Sequence, residues 1–285
     1  MTELTLLKLG GSLITDKDTP YTPRLDKLKE LADEIASFWT SGRPLILGHG
    51  SGSFGHAAAK EYGTRDGIPT PAPLGASRHF PQMRSIWGKT EGGRYWKGFA
   101  EVWFQASQLN RFVMEALRAA GLPAIALAPV SAVTAHEIRV ARWDLTPLRS
   151  ALAAGLLPVI YGDVIFDEKR GGTILSTEDL FAHLTRELRP GRILLAGLEE
   201  GVWEDFPART RLVSEIGFPS YEAMRAGIGA SSSVDVTGGM AAKVGQMFEL
   251  IQEVPGLTAS IFSAEEAGNL SRALAGEAIG TALRA

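Results

Sequence analysis

An α/β fold with a mostly parallel sheet and helices on both faces follows from two features of the 285-residue sequence. Short apolar runs of strand length alternate with longer segments whose apolar residues recur at helical spacing, and glycine-rich turns stand where one gives way to the other. Residues 4–9 read as a buried strand that breaks at Gly10-Gly11-Ser12, and 24–39 follow as a helix. Residues 44–49 form a second strand, closed by Gly50 to Gly55 and an alanine-rich helical start. Further strands are expected at 124–127, 157–161, 193–196 and 260–262, with helix-compatible segments such as 103–120 and 240–253 between them. Residues 62–95 break the pattern, being rich in Gly, Pro, Arg and aromatics without a sustained period. A loop of that length reads either as a lid beside a substrate pocket or as a surface insertion. Residues 203–233 form a second irregular stretch.

Composition bounds the function. With 45% hydrophobic and 21% charged residues the chain can bury a large core, as one domain spanning 1–285. A net charge of -3 and a pI near 6.0 give no broad positive field for nucleic acid or an anionic membrane. Zero cysteines exclude disulfides, thiolate nucleophiles and Cys-ligated metals, and agree with a cytoplasmic location. The first residues carry an acid and an early double glycine where a signal peptide needs an apolar run. No apolar stretch approaches the roughly 18 residues of a membrane span.

Three glycine-rich turns carry the chemistry: Gly10-Gly11-Ser12, Gly50 to Gly55, and Thr237-Gly238-Gly239. Backbone N–H groups uncrowded by side chains at a helix N-terminus cradle phosphate oxygens. One Gly-Gly is an ordinary turn, but three with lysines beside two of them point to a phosphate-rich site. No GxxxxGK[ST] segment occurs, which disfavours a P-loop nucleotide fold. Phosphoryl transfer depends on positioning and on neutralising spread charge, so Lys8, Lys17 and Lys243 are the catalytic candidates. Lys8 ends an apolar strand and must face a polar site there, whereas Lys17 and Lys243 taken alone read equally as solvated. His56 follows Gly-Ser-Phe-Gly at a helix start, where both imidazole and helix dipole can address an anion. No HExxH motif or His/Cys cluster implies a protein-held transition metal.

Together, Lys8-Leu-Gly-Gly-Ser-Leu-Ile-Thr-Asp-Lys17, His49-Gly-Ser-Gly-Ser-Phe-Gly-His56, Gly162-Asp163 and Asp235-Val-Thr-Gly-Gly-Met-Ala-Ala-Lys243 resemble the amino acid kinase superfamily. Within it they are similar to the branch that phosphorylates isopentenyl phosphate, and the likeness runs from Lys8 to Thr281. The Ser-Phe-Gly-His segment is its specific part.

That resemblance implies a three-layer αβα sandwich, an acceptor lobe over 1–162, a nucleotide lobe over 163–285, a homodimer, ATP and Mg²⁺. It implies that Lys8, Gly10, Gly11 and Ser12 meet the ATP phosphates, with Gly52, Gly201, Trp203, Gly238 and Gly239 also on the nucleotide. It assigns Lys17 and Lys243 to the moving phosphoryl group and Asp163 to orienting the lysines. Ser51, Gly52, Gly55, His56 and Thr177 would hold the acceptor's phosphate, and Phe99, Val102, Ile165 and Leu175 its isoprenoid tail. The chain departs from the branch at Ser176-Thr-Glu-Asp179 and Gly197-Leu-Glu-Glu-Gly-Val202. A phosphonate kinase of the fosfomycin type, a carboxylate kinase, and a non-catalytic nucleotide-binding protein of the same fold are the competing readings. The last should lack the lysines, and the carboxylate kinase has no need of His56.

Overall fold

The computed structural model describes residues 3–68, 91–224 and 239–285. Its centre is an eight-stranded sheet in the order β12-β14-β13-β9-β1-β2-β6-β3. The strands are β1 (Thr5–Leu9), β2 (Leu45–His49), β3 (Ala124–Ala126), β6 (Leu157–Tyr161), β9 (Arg192–Gly197), β12 (Glu215–Gly217), β13 (Thr258–Ser263) and β14 (Thr281–Arg284). From β13 to β3 every pair is parallel, and only β14 runs antiparallel to its neighbour β13. The seam between β1 and β9 joins the two halves of the chain into one continuous sheet.

Strand parity then sorts side chains to the two faces. Leu6, Ile46, Ile193 and Leu195 face one core, where α6 (Thr177–Leu188) contributes Leu180, Phe181 and Leu184 and α8 (Gly239–Glu253) contributes Val244, Met247 and Phe248. Leu7, Leu9, Leu45, Leu47, Leu194 and Ala196 face the other. There they meet α1 (Gly11–Ile14), α2 (Leu25–Trp39), α3 (Gly52–Tyr62), α4 (Glu91–Ala119) and α9 (Asn269–Ala275). The result is the αβα sandwich the sequence predicts.

A second sheet, β5-β4-β7-β8, forms from β4 (Val133–His136), β5 (Arg139–Trp143), β7 (Asp163–Asp167) and β8 (Gly171–Leu175). Asp167 pins its hairpin turns, accepting backbone N–H bonds from Ile138, Lys169 and Arg170 at 2.9 Å and from Glu137 at 3.3 Å. Glu137 and Ile138 both have positive φ, a turn geometry these bonds help hold. Trp143 stacks on His183 of α6, with ring centroids 5.8 Å apart, and so docks this sheet on the main body.

The remaining elements are α5 (Thr146–Ala153), α7 (Phe218–Met224) and the short pair β10 (Val202–Trp203) and β11 (Leu212–Val213). The irregular stretch expected at 203–233 therefore holds β11, β12 and α7 up to residue 224, and the rest of it lies outside the described residues. Of the 62–95 segment, 69–90 likewise lies outside them, and helix α4 already begins at Glu91 rather than Trp103. No described helix is long and apolar enough to cross a membrane.

Candidate active site

Because β1, β2, β6, β9 and β13 are parallel, the turns that follow them gather at one sheet edge. Gly10 N–H donates to the Ala196 carbonyl at 2.7 Å, and Gly50 N–H to the Leu9 carbonyl at 3.0 Å. These bonds bring the first two glycine turns into backbone contact. A Cβ on Gly11 would collide with the backbone N and Cα of Gly52, and one on Gly50 would lie 2.9 Å from Gly11 N. Gly52 adopts φ +50°, which glycine reaches without strain. One helical turn on, Gly55 leaves room for the Ser51 side chain, into which a Cβ would run.

Lys8 shares the face of Leu6 by alternation, and it therefore projects towards α6 and α8. Its ammonium pairs with the Glu178 carboxylate, the two side chains being 12% and 6% exposed. Burial would raise the Glu178 carboxyl, but the charges of Lys8 and Lys243 outweigh burial and hold it below its ordinary value. Glu178 thus gathers two of the three predicted lysines, Lys8 from β1 and Lys243 from α8. It is a residue that sequence reasoning missed. The signal was Ser176-Thr-Glu-Asp179, a capping box whose Ser176 and Asp179 side chains each accept the other's backbone N–H, at 3.1 and 2.8 Å. That motif fixes a helix start after β8 and puts the intervening acid on its first turn.

The resemblance gives Asp163 the task of orienting the lysines. Asp163 begins β7 in the second sheet, is fully buried, and accepts the Val164 N–H at 2.8 Å while its Oδ2 has no partner. Burial pushes its carboxyl up to about 7 against the N–H groups of Val164 and Val130. Glu178, paired with Lys8, is a second carboxylate placed to orient a lysine. The buried Thr177 hydroxyl donates to the His49 carbonyl at 2.6 Å and ties α6 to β2. His49 itself is buried and stacks on Tyr161, with its ring nitrogens 3.1 Å from the Gly50 carbonyl and 3.2 Å from Asn110 Oδ1. Burial depresses its imidazole below the ordinary value, so it stays neutral behind the glycine turn.

His56 lies on the same side of α3 as Gly52, four residues earlier, and is half-buried. Beside α3 an apolar wall forms from Ala58, Ala59, Tyr95, Phe99, Val102 and Val164, backed by Trp96 and Ile174. The Phe99 ring lies 5.1 Å from that of Phe166. Two of the four predicted tail contacts, Phe99 and Val102, belong to this wall. Ile165 and Leu175 belong instead to the main core on the opposite side. On β7 and β8 the paired residues Val164 and Ile174 face the wall, and their sequence neighbours face away.

Lys17 is exposed on the loop between α1 and α2. Gly201 is buried against Thr281, whose hydroxyl accepts the Val202 N–H at 2.8 Å, so its close packing serves the fold. Trp203 is half-buried with an unpartnered indole N–H, Ser12 lies in α1 beside the first turn, and Gly239 opens α8 with φ +72°. Gly238 lies outside the described residues.

Fold and site together define a kinase scaffold of known class. The amino acid kinase family matches residues 3–263, and the chain belongs to that family. Its relatives include the isopentenyl phosphate kinase of Methanothermobacter thermautotrophicus, 34% identical over 96% of both chains. That of Methanocaldococcus jannaschii is 30% identical over 98% of this chain and 97% of its own. Among solved structures, one described as X-ray structures of isopentenyl phosphate kinase superposes with a TM-score of 0.78 at 29% identity, covering 98% of this chain and 99% of that one.

Two measurements test this geometry. Replacing Glu178 by Gln leaves the buried Lys8 without a countercharge and should lower the unfolding free energy by about 3–5 kcal/mol in denaturant titrations. The double replacement Lys8→Met with Glu178→Leu should recover most of that loss, because a well-packed apolar pair replaces a buried ion pair at little net cost. Recovery of turnover as well would remove the pair from the mechanism. For Asp163 the folded pKa lies above the unfolded one, so its stability contribution is complete at acid pH and lost as pH rises towards 7. Asp163→Asn should therefore gain on wild type between pH 5 and pH 8, by about 2.5 kcal/mol for the roughly two pH units below the folded pKa. A constant difference across that range would mean that the carboxyl ionises normally in the fold.

Proposed function

We propose that the chain transfers the γ-phosphoryl group of ATP to isopentenyl phosphate, and to dimethylallyl phosphate, giving the diphosphates. The observation that carries this reading is the backbone contact between the Gly10–Gly11 and Gly50–Gly52 turns, with the Lys8–Glu178–Lys243 group on one side and His56 on the other. Two phosphate-binding turns in contact suit a donor and an acceptor that both carry phosphate. ATP lies against the 163–285 half, on the first turn, and the acceptor's phosphate lies against Ser51, Gly52, Gly55 and His56 in the 1–162 half. Lys8 and Lys243 meet the nucleotide phosphates, and Lys17 reaches the moving phosphoryl group from its exposed loop.

The acceptor needs no base. A phosphate monoester has a second pKa of about 6 and is already an anionic oxygen nucleophile at neutral pH. The protein's work is to hold two anions in line and offset the charge that spreads over the transferring group. Mg²⁺, bound with the ATP, would supply further positive charge. Among the described residues no group of three or more His, Asp or Glu could hold an ion. The acceptor's tail lies on the wall of Tyr95, Phe99, Val102 and Val164, an apolar surface suited to a prenyl group rather than a small polar phosphonate.

The chain is proposed to work in the cytoplasm and to pair with a second copy. Trp103 and Phe104 of α4 and Ile125 of the edge strand β3 stay exposed and offer the apolar face. A one-chain mass in solution would remove the dimer.

Purified protein with Mg-ATP should release ADP with isopentenyl or dimethylallyl phosphate, and far less with fosfomycin or UMP. Failure on both prenyl phosphates overturns the assignment. His56→Ala should lower kcat about 100-fold, the scale of one lost anion-stabilising donor. An unchanged kcat would make the imidazole structural.

A further inference from the structure

The two glycine turns are joined by one side chain that the proposed reaction does not yet use. Thr15, 1% exposed, follows α1. Its hydroxyl donates to the Gly11 carbonyl at 2.8 Å and accepts the Ser53 backbone N–H at 3.0 Å. Gly11 belongs to the first turn and Ser53 to the second. The hydroxyl is thus the only group of Thr15 that bonds to both, and it uses its donor and an acceptor lone pair at once. Its fit is close, since a Cβ on Gly52 would run into Thr15 Oγ1 and lie 2.8 Å from its methyl carbon.

Thr15 also settles an otherwise costly problem. Ser53 lies in the first turn of α3, where backbone N–H groups lack intrahelical partners. With the Ser53 N–H turned inward to Thr15, the start of α3 is anchored to the loop below it. Gly50 N–H to Leu9 carbonyl is the second anchor, on the strand side.

We propose that Thr15 is a positioning residue that sets the separation and alignment of the donor and acceptor phosphate turns. This rests on the proposed assignment of those turns to ATP and to the acceptor phosphate. Thr15 touches neither substrate; it acts through the turns that do. Its removal should therefore spoil alignment more than binding, and misplacement of reacting groups by about 1 Å costs on the order of 100-fold in rate.

The test compares Thr15→Val, which keeps the shape and loses the hydroxyl, with Thr15→Ser, which keeps the hydroxyl. At a temperature where both are folded, Thr15→Val should lower kcat roughly 10–100-fold while KM for ATP and for isopentenyl phosphate each stay within about threefold. Thr15→Ser should stay within about threefold of wild type. Loss of turnover in both variants, or in neither, overturns the proposal. A second arm needs no acceptor: hydrogen exchange of the 50–55 amides with and without a non-hydrolysable ATP analogue. In wild type the analogue should slow exchange in that turn, and in Thr15→Val the effect should vanish. Wild-type protein that ignores isopentenyl phosphate but shows this coupling would sink the acceptor assignment and keep Thr15's role; wild-type protein without the coupling would sink the role itself, whether or not the valine variant folds.

Discussion

The site depends on two pieces of backbone that touch because neither carries a side chain. Gly11 lies against Gly50 and Gly52 so closely that a single Cβ on Gly11 would overlap the other turn. Parallel neighbours β1 and β2 put the turns side by side, and the Leu9 carbonyl fixes their relative height through Gly50 N–H. Everything else is arranged around that contact. α1 and α3 start from it, and β1 delivers Lys8 two residues before it.

Charge is placed by the same geometry. A lysine one residue before the end of a central strand has little choice of direction: Lys8 must face either the α2 layer or the α6 layer. Parity sends it to α6, where an apolar neighbour would leave its ammonium unpaired. Glu178 meets it there from the first turn of the helix. Gly48, paired with Lys8 across the sheet, clears the ground, since a Cβ there would strike Phe181 at 2.8 Å. The close approach of α6 to β2 is thus what allows the acid to reach the lysine.

Much of this was legible in the sequence. The central strands β1, β2, β6, β9 and β13 are short apolar runs ended by glycine or a polar turn, and α2 and α8 keep helical spacing throughout, so local pattern sufficed. The second sheet was not legible because β5 is largely exposed and β7 alternates two buried faces, leaving no amphipathic signal. A strand buried on both sides likewise gives no clue to which parity faces Phe99 and Val102, and Ile165 and Leu175 lie on the other face. Lys8, His56 and the glycine turns were recognised from type and spacing. Glu178 was not, because its meaning lies in a partner 170 positions away that only the fold brings near. Thr15 stayed hidden for a related reason: a threonine after an apolar helix looks like any turn residue until two backbones converge on its hydroxyl.

The balance of charge in the site bears on why an acid accompanies the lysines at all. Lys8, Lys243 and Glu178 together carry one net positive charge, not two. Two uncompensated ammonium groups would hold ATP strongly, but they would hold ADP and a newly made diphosphate strongly as well. Uniform binding of substrate and product does nothing for turnover; only interactions that strengthen in the transition state do. A carboxylate that holds one ammonium group in place and offsets the charge of a second favours direction over total charge. On the proposed reaction, the remaining neutralisation must then come from groups that arrive with the substrates or swing in with them, namely the ion on the ATP phosphates and the exposed Lys17. That division keeps the rigid part of the site for alignment, which the glycine contact supplies, and leaves the stronger electrostatic pull to components free to depart with the products.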